Sequence, residues 1–174
     1  GVGGEGNPHP KIAAPAIAGM PGWYVENQLT KFKTGARGKH PQDTPGLRMH
    51  PMARMLKDEE IPAIAQYVAQ LTPVKVTTTI RGSVEAGKAL YQTCAACHGA
   101  QAEGNQLLNS PPLSAVQDWY LVQQLKNYKY GYRAWDPELD PIGYAMVAIS
   151  QMLENEQAMH DVVAYIMTLG RSGS

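Results

Sequence analysis

A chain of 174 residues has room for one ordinary domain or two small ones, and a formal net charge of zero leaves no basic footprint for nucleic acid or anionic lipid. Its hydrophobic content of 44% is that of a globular protein, but one Phe stands against nine Tyr and three Trp, so its aromatics mostly keep a polar handle when buried. No stretch approaches the roughly 18–20 apolar residues of a membrane span. No signal peptide is read at Gly1, where a chain without an initiating Met looks processed or incomplete.

In chain order, the first seventy residues are met again further on. Gly1-Val-Gly-Gly-Glu-Gly-Asn7 returns as Gly99-Ala-Gln-Ala-Glu-Gly-Asn105, Pro15 as Pro111, and Trp23-Tyr24 with Gln28-Leu29 as Trp119-Tyr120 with Gln124-Leu125. Lys33, Gly35 and Arg37 return as Lys129, Gly131 and Arg133; Met49 and Met55 as Met146 and Met152; Tyr67 and Leu71 as Tyr165 and Leu169. The offset stays between 96 and 98, so only one-residue insertions separate two copies of one small domain.

The first copy occupies residues 1–73, with Asp58 and Glu59 opening its last helix and Pro62 tolerated in the first turn. Residues 74–82 are rich in Thr and Val, favour extended structure and have no strand to pair with, so they read as a linker. The second copy occupies residues 83–174. Ser83 caps a helix with Val84, Gly87, Leu90 and Tyr91 at helical spacing. A Gly-, Asn- and Pro-rich loop covers 99–112, and Asp118 is the candidate cap of a helix through Trp119, Val122, Leu125 and Tyr128. Residues 131–145 read as a long loop, and a final helix from about Glu154 to Leu169 buries Ala158, Val162, Tyr165, Ile166 and Leu169.

The second copy's first helix ends in Cys94-Ala-Ala-Cys97-His98, the mark of covalent c-type haem attachment. Two thiols on one helical turn can each add to a haem vinyl group, and the next residue offers an imidazole nitrogen to iron. A bare Cys-x-x-Cys also serves redox disulfides and half zinc sites, but zinc wants further ligands at short spacing and the chain has no other cysteine. Gly1 aligns with Gly99, so the first copy begins where its own motif should just have ended. A shortened chain and a haem-free relic both account for that; retention of Met49 favours shortening, with a second haem expected if the motif lies upstream.

Electron-transfer iron takes His or Met on its other face. Met146, just after Gly143, reads as a loop-borne ligand, with Met49 as its counterpart in the first copy. Met152 and Met52 read as core. The carbonyl of Pro111 is expected to accept the second ring N–H of His98, the alternative being a simple loop breaker. Lys33 with Arg37, and Lys129 with Arg133, either neutralise haem propionates or face solvent. His9, His40, His50 and His160 read as structural or surface residues.

Cys94, Cys97, His98, the later Met146 and the closing helix with Tyr165 together resemble a class I cytochrome c. The doubling, the linker and the Trp-Tyr-x-x-x-Gln-Leu-Lys element at 119–126 are similar to the tandem dihaem cytochromes of the c-four type. The resemblance implies an all-α fold, two domains of a few helices each wrapped round a haem and meeting across a pseudo-twofold axis. It also implies a periplasmic carrier, docking at a membrane complex and moving single electrons from a quinol-oxidising complex to a terminal oxidase or reductase. A cytochrome module of a larger oxidase or dehydrogenase subunit is the alternative. A haem peroxidase or ligand sensor would need an open sixth position on iron, against which Met146 stands.

Overall fold

The computed structural model describes residues 1–169; the end of the second copy, 170–174, lies outside the described residues. Among the described residues seven helices follow one another: α1 Gly22–Thr34, α2 Thr44–Arg54, α3 Glu60–Gln70, α4 Val84–His98, α5 Asp118–Lys129, α6 Pro141–Gln151 and α7 Glu156–Leu169. Among the described residues the only β pairing is two isolated bridges, Asn7 with Ala14 and Asn105 with Ser110, at equivalent places in the two copies. Helix α1 packs on α2 and α3, while α4 packs on α7 and α5 on α6 and α7. The repeat read from sequence is thus a repeat of helices.

Helix ends follow local chemistry. Ser83 caps α4 by accepting the Ala86 N–H at 3.2 Å. Asp43 and Asp140 cap α2 and α6 through the N–H groups of Gly46 and Gly143, at 3.1 and 2.8 Å. Gly35 ends α1 in the left-handed conformation, φ 86°, which spares it the clash a Cβ would meet there.

The second copy is built on the crossing of α4 and α7. A Cβ on Gly87 would lie 1.9 Å from the Asp161 carbonyl oxygen, so only glycine lets the two backbones approach. Tyr91, 1% exposed, packs its ring 5.4 Å from that of Tyr165 and donates its hydroxyl to the Gly99 carbonyl at 2.7 Å. Met159, Val162, Val163, Ile166 and Met167 complete the core from α7. That buried face is wider than its sequence pattern indicates, because α7 is covered by α4 on one side and α5 on another.

Three expectations need correcting. The 131–145 loop is shorter than its Gly and Pro content predicts, because Asp140 and Pro141 start α6, where proline is tolerated in a first turn. Met146 therefore sits on a helix. Met152 and Met52 are 61% and 59% exposed and not core: they lie on the outer sides of the α6 C-terminus and of α2. Asp118 is not the cap of α5 but its first residue, and it holds the linker.

That last arrangement positions the connection between the copies. The fully buried Asp118 carboxylate accepts the Thr79 N–H, the Thr79 hydroxyl at 2.8 Å, the Ile80 N–H at 2.9 Å and its neighbour's N–H from Trp119 at 2.6 Å. Burial alone would raise its pKa; the N–H donors of Ile80 and Thr79 and the Thr79 hydroxyl outweigh it and hold the carboxyl below its ordinary value. A lowered folded pKa contributes stability that is complete above the unfolded carboxylate range and lost as pH falls through the folded value. We expect Asp118→Asn to lower stability by about 1–3 kcal/mol at neutral pH. The loss should shrink towards low pH, as read by urea unfolding at a series of pH values.

Candidate functional site: the helix α4 terminus and the interface between the copies

The attachment motif closes α4. Cys94 is half-buried and Cys97 exposed, both free thiols one helical turn apart. Burial pushes the Cys94 thiol up to about 11, so it is protonated at neutral pH before any covalent bond forms. His98 is 6% exposed, and its Nδ1 lies 2.8 Å from the Pro111 carbonyl oxygen. That acceptor places the proton on Nδ1 and leaves the Nε2 lone pair for a metal. Burial lowers the His98 pKa, and the Pro111 carbonyl only partly opposes it, so the ring is suited to the neutral form that ligates.

The loop after the motif is shaped to bring Pro111 back. Gly104 has φ 81°, and a Cβ there would sit 2.5 Å from the Pro112 nitrogen. Its own N–H donates to the His98 carbonyl at 2.8 Å, and the Asn105–Ser110 bridge closes the turn. The first copy repeats the device. Gly6, φ 75°, would place a Cβ 2.5 Å from the Ala16 nitrogen and the Pro15 carbonyl carbon, beside the Asn7–Ala14 bridge. Met146 is half-buried on α6, and Met49 is 39% exposed on α2.

Lys33 and Lys129 each bond a carbonyl in their own copy, Leu56 at 2.7 Å and Leu153 respectively, and Lys33 also pairs with the exposed Asp58. Arg37 and Arg133, 6% and 5% exposed, instead enter a buried network that joins the copies. Arg37 donates from Nη1 to Gln28 Oε1 at 2.6 Å, and from Nη2 to the Tyr120 hydroxyl at 2.8 Å and Gln124 Oε1 at 3.2 Å. Arg133 answers with bonds to Gln124 Oε1 at 2.8 Å, Gln28 Oε1 at 3.0 Å and the Tyr24 hydroxyl at 3.5 Å. Each guanidinium also lies over an aromatic ring of its own copy, Phe32 at 4.5 Å and Tyr128 at 4.6 Å. Sequence reasoning missed this junction. The signal available was that Tyr, Gln and Arg all return together in both copies, more polar constancy than a solvated face needs.

The remaining polar capacity supports a haem. Both arginine Nε atoms are buried with no acceptor among the described residues, two donors suited to the carboxylates of haem propionates. His98 Nε2 is the open ring nitrogen beside two thiols. The other histidines are engaged elsewhere: His40 stacks on Tyr132 at 4.7 Å, His50 Nδ1 meets the Phe32 carbonyl, and His160 faces Glu156 at 3.6 Å. His9 Nδ1 meets the Lys11 N–H at 3.2 Å.

Arg133→Met strips donors from both glutamine carbonyls at once. We expect it to lower unfolding free energy by about 1–3 kcal/mol. Lys88→Met, at an exposed position, should change it by less than about 0.5 kcal/mol. Urea denaturation of the two variants side by side is the measurement.

Three comparisons bear on this site. The sequence matches the cytochrome c family over residues 1–72 and 84–170. It is 32% identical over 151 residues to a thiosulfate dehydrogenase electron acceptor of Thiomonas intermedia, covering 79% of this chain and 64% of that protein. It is 35% identical over 123 residues to the cbb3-type cytochrome c oxidase subunit FixP of Sinorhizobium medicae, covering 64% of this chain and 42% of that one. The chain thus spans about two thirds of the first relative's length and less than half of the second's. The solved structure of cytochrome c4 from Acidithiobacillus ferrooxidans superposes with a TM-score of 0.71 at 27% identity, covering 87% of this chain and 86% of that one. The chain belongs to the cytochrome c family, an all-α, two-domain haem c electron-transfer protein similar to the dihaem c4 type.

Proposed function

We propose that the second domain would hold a haem c through Cys94 and Cys97, with His98 and Met146 as the side chains that would bind its iron, and that the chain acts as a periplasmic one-electron carrier. The observation that carries this is the buried His98 ring, tied by Nδ1 to Pro111 with Nε2 left free behind two thiols. Once bound, that group would supply reversible ferrous–ferric exchange. The protein's part is to hold ligands of fixed geometry, so that little reorganises on electron transfer, and to exclude water with the α4–α7 core. A thioether ligand in apolar surroundings favours the reduced, less charged iron and raises the potential. Arg37 and Arg133, with Nε donors to spare, are assigned to the propionates.

We assign Met49 and the Pro15 carbonyl to a second haem, by their equivalence to Met146 and Pro111. We take the domain limits as 1–73 and 83–174, joined by the 74–82 linker; the packing of α1 on α2 and α3, and of α4 and α5 on α7, supports that reading. Donor and acceptor fit a quinol-oxidising complex and a terminal oxidase or reductase. The likeness to an oxidase subunit longer than this chain favours a second reading, a cytochrome module of a larger oxidase or dehydrogenase. No helix among the described residues is long and apolar enough to cross a membrane.

Partner choice is steered by a charge split that the net charge conceals. Residues 1–73 carry eight Lys and Arg against six Asp and Glu, and residues 83–169 carry four against nine. On the outer side of α2, Arg48 stands with exposed Met52 and Met55, where α6 has Ala145, Ile149 and Met152. An acidic partner is therefore expected at the first domain, with association slowing as salt is raised.

The test is a pyridine haemochrome count with a redox titration on one sample. A methionine–iron charge-transfer band in the red, present in the ferric wild type and absent in Met146→Ala, supports the ligand set. A high-spin wild type without the band would sink the Met146 assignment and bring the enzyme reading forward.

A further inference from the structure

The two domains meet through reciprocal arginine and glutamine contacts, and the reciprocity fails at a pair of positions that bears on α2 and α6. Each of α2 and α6 begins at a buried aspartate, Asp43 and Asp140, both 3% exposed. Each aspartate is approached from the other domain by the residue one turn after the shared glutamine. For Asp140 that residue is Lys31, whose Nζ lies 2.8 Å from Oδ1. For Asp43 it is Asn127, at the position matching Lys31, with Nδ2 3.5 Å from Oδ1 and the second carboxylate oxygen left without a partner. One domain reaches across with a charge, and the other with a weak amide contact.

Asp140 Oδ1 does two things at once. It takes the Lys31 ammonium, and it accepts the Gly143 N–H that starts α6. Met146 lies one turn further along the same helix. The far end of α6 is held within its own domain, where Gln151 Nε2 donates to the Lys129 carbonyl at 2.6 Å. The near end is held from the first domain. Lys31 itself is only 17% exposed; burial lowers its pKa and Asp140 opposes that, as expected of an ammonium kept charged by one carboxylate.

We propose that Lys31 is a positioning residue for Met146: the first domain sets, through one ion pair, how firmly the second domain's methionine holds its iron. This rests on the reading of Met146 as an axial ligand. Docking of the domains and ligation in the second domain are then one linked equilibrium, and whatever disturbs the interface loosens the thioether. The first domain's own methionine helix lacks this control, because asparagine replaces lysine at the matching place.

The test uses the holoprotein in its ferric state, with two readouts: the red methionine–iron band and the affinity for added imidazole, which competes with Met146 for iron. Lys31→Met keeps the side-chain length and removes the charge. It should weaken the band and raise imidazole affinity by about tenfold, with Lys31→Arg restoring both. If Lys31→Met does not accumulate, Lys31→Gln, which can still donate to Asp140, should shift both readouts less and in the same direction. Val68→Ala truncates the first domain's core at a position 5% exposed; it should lower thermal stability without moving imidazole affinity. Wild-type affinity in the lysine variants overturns the proposal. An equal shift in Val68→Ala also overturns it, since general loosening would then account for both. A wild type lacking the band removes the Met146 reading and this proposal with it, whereas a normal band with insensitive lysine variants removes this proposal alone.

Discussion

Two guanidinium groups buried between the domains are the constraint on which the arrangement depends. A cation out of water must be surrounded by acceptors and polarisable faces, or it will not stay buried. Here each arginine finds two glutamine oxygens, one from each domain, a tyrosine hydroxyl of the facing domain, and an aromatic ring of its own. Because both glutamine oxygens accept from both arginines, neither domain can turn relative to the other without leaving donors unpaired. That condition fixes α1 against α5, and through the aspartates it reaches α2 and α6, the helices that carry Met49 and Met146.

The ligating end of the molecule is assembled differently, from contacts mostly close in sequence. Helix α4 delivers two thiols and an imidazole in a row, and a glycine-hinged loop returns a proline carbonyl to the same imidazole. Helix α4 must also lie against α7 closely enough for Tyr91 and Tyr165 to pack, which Gly87 permits.

Duplicated domains do not remain equivalent. The two copies retain the helix caps, the glycine-hinged loops and the arginine network, yet differ in charge and in the Lys31–Asn127 exchange. The first copy presents arginines beside methionines on α2, while α6 presents only uncharged residues outward. Two domains of one fold can in this way meet different partners and hold their methionines with different firmness.

Much was legible before any coordinate. The attachment motif is a covalent requirement, so its residues and spacing carry their meaning without the fold. The repeat and the helical periodicity defined the class, because backbone hydrogen bonding and one-sided burial act over a few residues at a time. The Pro111 contact was readable as chemistry, from what a ligating imidazole needs on its second nitrogen. Tertiary structure alone decided that Met152 and Met52 face outward, that Met146 rides on a helix, that Asp118 holds the linker, and that Arg37 and Arg133 face each other across a boundary. The reason is physical: burial and partner choice across an interface depend on which surfaces meet, and no local pattern of residues encodes that meeting.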